Sequence, residues 1–422
     1  MMLFKDTDIS HILYTGIITV FTVIGLTGCM LNNEDVPDVM NVKTLAEGSY
    51  EFNALDSGEI GIAINKMQIN ELQIFATETD DASDPPNSDV FELYCTPMNG
   101  IPEYITICGI RLCTSLTELY ITPQQFMPVY GSQHLTSEDI KPLIYMVNLT
   151  SLTIGFSRQA PLEFYFIPYE ESGIPLPEPL DITPLAELTN LTQLDLGGYG
   201  IVDISPLANL TNLRFLDLGN NPITDITPLA GLLNLHHLNL VSAHIDDITP
   251  LTGLLNLENL DLSGHWSDTY FSIEPLAELT QLTRLSIISR EVSDLTPLAN
   301  LTNLQFLSVD GNQISDLTPL ANLTNLRSLN AGGNLISDLT PLTELNLWRL
   351  ALSSNQIDDI SPLANMTTLR DLMLHNNQIS DLTPLAGLNG FNEPWGRLDL
   401  YNNPINDWTP IAHIKIPIIG RP

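Results

Sequence analysis

The pentapeptide "DITPL" stands at residues 181–185, 225–229 and 247–251, and the variants "DISPL" and "DLTPL" fill the positions between and after. The prolines that follow its Ser or Thr, with Pro275 in register, are Pro184, Pro206, Pro228, Pro250, Pro275, Pro297, Pro319, Pro341, Pro362, Pro384 and Pro410. Their spacings are 22, 22, 22, 25, 22, 22, 22, 21, 22 and 26 residues. A period of this length is the signature of a solenoid, in which each unit is too small to bury its own apolar side chains and packs only on its neighbours. The 422 residues therefore do not divide into ordinary domains of one to two hundred residues each.

One full unit runs from Leu210 to Gly231, with Leu213, Leu216, Leu218, Asn221 and Ile223 as its fixed places. Leu216 and Leu218 alternate on a short strand, so both point inward while Phe215, Asp217 and Gly219 point outward. Stacking buries them, at roughly 1.5 to 3 kcal/mol for each large aliphatic side chain. Thr or Ser before Pro predicts a helix start. The hydroxyl is expected to cap a free backbone N–H at about 1 kcal/mol, and Pro fits the first position because its missing N–H would be unpaired there. The preceding Asp is placed near the positive helix end. Calcium-loop spacing is absent, so the pentapeptide reads as scaffold and not as a metal site.

The pattern Leu213-x-x-Leu216-x-Leu218-x-x-Asn221-x-Ile223 is that of a leucine-rich repeat, and its 22-residue form ending in "DITPLA" resembles the repeats of internalin-like bacterial surface proteins, over roughly Leu135 to Ala412. The resemblance implies an α/β solenoid: a horseshoe with a parallel sheet on its concave side, short helical or 3-10 turns on the convex side, and a protein-binding concave face. Asn221, Asn312, Asn334, Asn355, Asn377 and Asn403 resemble the family's asparagine ladder. Tyr199, Ala243, His265 and Arg290 replace it elsewhere, and the ladder is expected to be broken there.

Residues projecting between the buried leucines are the candidate partner-binding set: Phe215, Asp217, His237, Asn239, Asp261, Arg284, Phe306, Asp310, Arg349, Asp371, Met373, Arg397 and Tyr401. Aromatic residues and Arg are the types enriched at protein interfaces. Insertions near 158–179 and 265–273 interrupt the array, and the second adds Trp266, Tyr270 and Phe271 as loop candidates. Insertions in solenoids map to loops on one face, often the binding face. A protein partner at the concave face is the first reading; a glycan stacked on the aromatic loops is the alternative.

At the N-terminus an apolar run from Ile12 to Leu26 precedes Leu26-Thr27-Gly28-Cys29, which resembles a bacterial lipoprotein lipobox. The resemblance implies a signal peptide over 1–28 and lipidation of Cys29, hence export and lipid anchoring at the cell membrane or outer surface, with no other membrane attachment. A tether over 29–46 is expected to follow, then an irregular capping section over 47–134 with degraded copies such as "INELQIF", "EYITIC" and "LTELYIT", the solenoid over 135–412, and a tail over 413–422. Cys95, Cys108 and Cys113 allow one disulfide plus a free thiol, or three buried side chains.

Only 15 Lys and Arg stand against 50 Asp and Glu, a net charge of -35. Such a molecule repels phosphate backbones, so no nucleic acid partner is expected. Neither Cys nor His spacing forms a zinc pattern and no phosphate-binding glycine loop occurs, so no cofactor or metal is expected. His236 and His237 lack a matched nucleophile or carboxylate, and the chain is read as non-catalytic.

Overall fold

The computed structural model describes residues 41–44, 50–53, 71–76, 104–107, 110–113, 116–123, 137–154, 179–264, 271–393 and 395–421. Cys29, Cys95, Cys108, Trp266 and Tyr270 lie outside the described residues, as does nearly all of the insertion at 158–179.

Each coil contributes one strand of three residues or slightly more to a sheet of 13 strands. All of its pairings are parallel and in register: Phe215 sits beside His237, His237 beside Asn259, and Asn259 beside Arg284. The sheet extends past the regular repeats into the N-terminal section, where Glu118–Pro123 and Glu71–Ala76 pair in parallel. The copy "EYITIC" does not join that sheet. Its strand Tyr104–Ile107 turns back on Ile110–Cys113 in an antiparallel hairpin outside the large sheet.

The chain returns along the opposite side through three-residue 3-10 turns such as Thr227–Leu229, each with its proline in the middle except Gly390–Asn392. Leu213, Leu216, Leu218, Ile223, Ile226 and Leu229 of one coil are all buried between sheet and turns. The corner after most of the three-residue strands is turned by a left-handed residue, supplied by Asn220, Ser242, Ser289, Ser354, Asn376 and Asn402 or by Gly198, Gly311 and Gly333. Glycine takes that conformation freely and Asn more readily than most side chains.

The cap of these turns differs from the expected one. The Thr227 hydroxyl does not cap the turn; instead Asp225 Oδ1 accepts the backbone N–H of Thr227 at 2.8 Å. The same bond recurs at Asp247 to Thr249, Asp294 to Thr296, Asp316 to Thr318, Asp338 to Thr340 and Asp381 to Thr383. The reason is register. Thr is already the first residue of the turn, so the aspartate two places earlier is the side chain that reaches its N–H, as in an Asx turn. Threonine's hydroxyl donates back to that carboxylate, at 2.5 Å from Thr183 to Asp181 and 2.7 Å from Thr409 to Asp407. These hydroxyl and backbone donors hold the Asp225, Asp247 and Asp294 carboxyls below the usual carboxylate range.

Two ladders of side-chain amides tie coil to coil. Inside, Asn221 Nδ2 donates to the carbonyls of Leu196 and Leu218, both at 2.9 Å, while its Oδ1 accepts from the N–H groups of Tyr199 and Ile201 at 3.0 Å. Asn312, Asn334 and Asn377 repeat this arrangement. Along the outer edge a second ladder, not foreseen from the sequence, joins Asn212 to Thr189, Asn234 to Thr211, Asn303 to Thr280 and Asn325 to Thr302, each amide donating to a carbonyl at 2.9 Å.

At Arg290 the inner ladder is rebuilt and not broken. The buried guanidinium, 1% exposed, donates from Nε to the Leu262 carbonyl at 2.7 Å and from Nη2 to Ala243 at 2.8 Å. It lies over the Phe271 ring at 5.3 Å from the centroid.

Past the last regular turn, the tail folds back on the sheet. Ile419 bridges Asp399 in parallel, its N–H donating to Leu398 and its carbonyl accepting from Leu400. Ile414 and Ile418 are buried, whereas Ile416 is only partly covered.

Candidate interaction face

The outward residues of the strands form columns across the open face of the sheet, one column per strand position. The first column reads Gln193, Phe215, His237, Asn259, Arg284, Phe306, Ser328, Arg349, Asp371 and Arg397. The second holds Asp195, Asp217, Asn239, Asp261, Ser286, Ser308, Asn330, Ala351, Met373 and Asp399. Asp310 and Tyr401 stand just beyond, in a third column.

The structure brings most of these together as neighbours. The Phe215 and His237 rings lie 5.9 Å apart, tilted by 38°. Arg284 places its guanidinium 3.8 Å from the Phe306 ring centroid, a cation–π geometry. Asn239 Nδ2 donates to both carboxylate oxygens of Asp217 at 3.0 Å. Asp261 accepts from the backbone N–H of Ser263 at 2.9 Å, but its burial outweighs that bond and pushes its carboxyl above the usual range. Asp310 Oδ1 accepts from Gly332 N–H at 2.8 Å, so it orders the sheet edge as well as facing outward.

Towards the C-terminal coils the face becomes an ionic network. Arg349 Nη1 pairs with Asp371 Oδ2 at 3.0 Å, Arg397 Nη2 lies 3.7 Å from Asp399 Oδ2, and His375 Nδ1 lies 3.1 Å from the same oxygen. Ser353 Oγ is 2.9 Å from that same His375 nitrogen. Hydroxyl and carboxylate thus meet one ring nitrogen instead of opposite ones, which is not the relay geometry of a serine nucleophile.

Three of the sequence candidates are less available than expected. Phe271 is not a free loop aromatic: it is buried beneath Arg290, because the apolar ring covers the aliphatic and guanidinium parts of that side chain. Met373 and Asp371 face outward but are buried by their longer neighbours. Tyr401, Arg284 and Arg397 are exposed, while Phe215, His237, Phe306 and Arg349 are half-buried.

The sequence reading passed over the position immediately before each strand. Thr192, Gln193, Arg214, Phe215, His236 and His237 together line a shallow hollow of about 340 Å³, so this position shares a surface with the first column. It holds Arg214, Arg327, Trp348 and Arg370. Counting back one residue from the first outward residue of each strand would have found them. Among the described residues no cluster of His, Cys, Asp and Glu could hold a metal ion, and no helix is long and apolar enough to cross a membrane.

The family model for leucine-rich repeats in two copies matches residues 189–231, 302–344 and 346–387. No curated protein matches the chain. Among solved structures, an internalin, InlF, of Listeria monocytogenes is 30% identical over 74% of this chain and 90% of its own, with a TM-score of 0.57. An internalin C2 of the same organism is 39% identical over 45% of this chain and 83% of its own, with a TM-score of 0.43. The functional domain of InlJ from Listeria monocytogenes, which includes a cysteine ladder, is 21% identical over 82% of this chain and 70% of its own, with a TM-score of 0.50, a likeness of fold alone. Thirty per cent identity over nine-tenths of an internalin makes this chain a member of the internalin-like leucine-rich-repeat family.

Proposed function

We propose that this chain is a non-catalytic, exported binding protein that captures a protein partner on the open face of its sheet, anchored through lipid on Cys29. The observation that carries the reading is the character of the first column. Two phenylalanines, Phe215 and Phe306, lie half-open there, each in ring contact with a His or Arg from the next or preceding strand. Aromatic rings packed against the His237 ring and the Arg284 guanidinium on a rigid parallel sheet need little ordering on binding, and aromatic residues and Arg are the types that dominate interface energetics. Family membership supports the same role, since leucine-rich repeats of the internalin type generally mediate protein binding.

The test is capture of exported proteins from culture by the immobilised full chain. Phe215→Ala with Phe306→Ala is expected to abolish capture while leaving the melting temperature close to that of the parent. Capture that survives this pair but is lost on Trp266→Ala with Tyr270→Ala would move the site to the inserted loop and favour a sugar-stacking role.

A further inference from the structure

Between residues 179 and 412 the chain has seven arginines and no lysine. One, Arg290, is buried in the inner ladder. The other six, Arg214, Arg284, Arg327, Arg349, Arg370 and Arg397, all stand at the first strand position or immediately before it. The turns on the other side carry aspartates at nearly every coil. In a chain of charge -35 the coils between 179 and 412 have thus gathered their accessible cations along one lip of the open face. Four of them fall on four successive strands at the C-terminal end, Ser328–Asn330, Arg349–Ala351, Asp371–Met373 and Arg397–Asp399.

Two further observations coincide there. Trp348 precedes Arg349 and is 40% exposed. Trp395, two residues before Arg397, is 88% exposed and held at a φ of 72°, a backbone strain that a bulky side chain rarely adopts. Asp371 is only 7% exposed, and its Oδ1 has no hydrogen-bond partner while Oδ2 is paired with Arg349. A buried carboxylate oxygen without a donor is costly, and a ligand N–H would relieve it.

We propose that this arginine–tryptophan lip docks a short acidic, aromatic-containing segment of a protein partner in extended form. The inference rests on the protein-binding reading of the open face and narrows it to a charge and a place. Strands about 4.8 Å apart give the four arginines a span of about 14 Å, the length of roughly four extended residues. Partner carboxylates would meet Arg327, Arg370 and Arg397, a partner side chain would lie against Trp348, and a backbone N–H would reach Asp371 Oδ1. A sulfated polysaccharide fits less well, because the buried Asp371 carboxylate repels a uniformly anionic chain and asks for a donor. The acidic remainder of the surface would repel the same segment everywhere else, which confines it to the lip.

The probe is a fluorescent eight-residue peptide alternating Glu and Tyr, titrated against the full chain at low and at moderate salt. The matched Lys–Tyr peptide and a sulfated oligosaccharide serve as comparisons. The Glu–Tyr peptide is expected to bind, to weaken with salt, and to lose at least tenfold in affinity in Arg370→Glu with Arg397→Glu, both exposed positions. Trp348→Ala is expected to lose severalfold with an unchanged melting temperature, and Lys141→Glu with Lys415→Glu, an equal change of charge elsewhere, less than twofold. No binding of the Glu–Tyr peptide, equal losses in both charge-reversal pairs, or binding of the sulfated sugar alone would overturn the proposal. If the peptide fails while Phe215→Ala with Phe306→Ala still abolishes partner capture, the docked segment is not acidic and the broader reading stands.

Discussion

Arg290 Nη2 donates to the carbonyl oxygen of Ala243, 2.8 Å away and two coils back, while Nε takes the Leu262 carbonyl of the coil between. An asparagine at this place, as at Asn221, reaches only its own coil and the one before. The longer side chain therefore spans the intervening coil, whose sequence has His265 in place of the ladder asparagine. Arg290→Leu strands both carbonyls in the interior, each at about 1 to 3 kcal/mol. We expect Arg290→Leu to lose about 3 kcal/mol or more in urea unfolding, and Arg290→Asn, which recovers one of the bonds, to lose less. Equal stability of Arg290→Leu and the parent would show that the buried guanidinium has no structural role.

Because Asp225 and not Thr227 supplies the acceptor for the turn, the two substitutions separate. Asp225→Ala is expected to lower the melting temperature clearly, and Thr227→Ala to stay within about 0.5 kcal/mol, the usual range for exposed positions. The opposite order in parallel thermal melts would return the cap to the hydroxyl.

Acid should weaken the array in a defined direction. Hydrogen bonds from the following Thr depress the carboxyls of Asp181, Asp225, Asp247, Asp294, Asp316, Asp338, Asp381 and Asp407 in the folded chain. Their contribution is complete above the unfolded value of about 3.9 and is lost as pH falls through the lower folded values. Asp261 runs the other way: burial raises its folded value, so its ionised form opposes folding above that value. Asp261→Asn should therefore melt higher than the parent at pH 7, with the gap closing towards pH 4. A parent more stable than the variant at pH 7 would contradict this account.

Deletion of everything after His413 removes the Ile419 bridge to Asp399 and uncovers Leu398 and Leu400. The last coil is expected to lose its hydrogen-exchange protection and the protein to self-associate in sedimentation. Gly420→Val should show a milder form of the same fraying, since φ is +93° there and a Cβ would lie 2.5 Å from the Tyr401 Cα.

Cys29→Ala should abolish incorporation of labelled fatty acid into the membrane-associated protein. Equal label in both forms would remove the anchor from the proposal.

The solenoid, its parallel register and the inner asparagine ladder were legible because each depends on a side-chain type recurring every 22 residues. The Asp–Thr reversal was hidden because a sequence shows which polar groups are near a turn but not which residue begins it. Phe271 was misread for a related reason: whether an inserted ring faces solvent depends on what covers it, here Arg290 from the next coil. The outer amides at Asn212, Asn234 and Asn303 were overlooked although they recur as regularly as the inner ones, because exposed Asn looks like ordinary surface. The lip arginines were only half seen, since the position before the strand was not counted as part of the face.

The outer amide ladder has a mechanical meaning. Pulling the two ends apart shears each coil from the next, and resistance comes from the strand pairing plus whatever stitches the edges. Among the described residues the outer amide stitch is missing at Gln281 and at Asn346, but the coil of Asn346 keeps Asn355 in the inner place, whereas in the coil of Gln281 that place is held by Arg290. Under load the seam beside the insertion should part first, so that the N-terminal and C-terminal stacks give way as two separate events, with the arginine setting the force at which they divide.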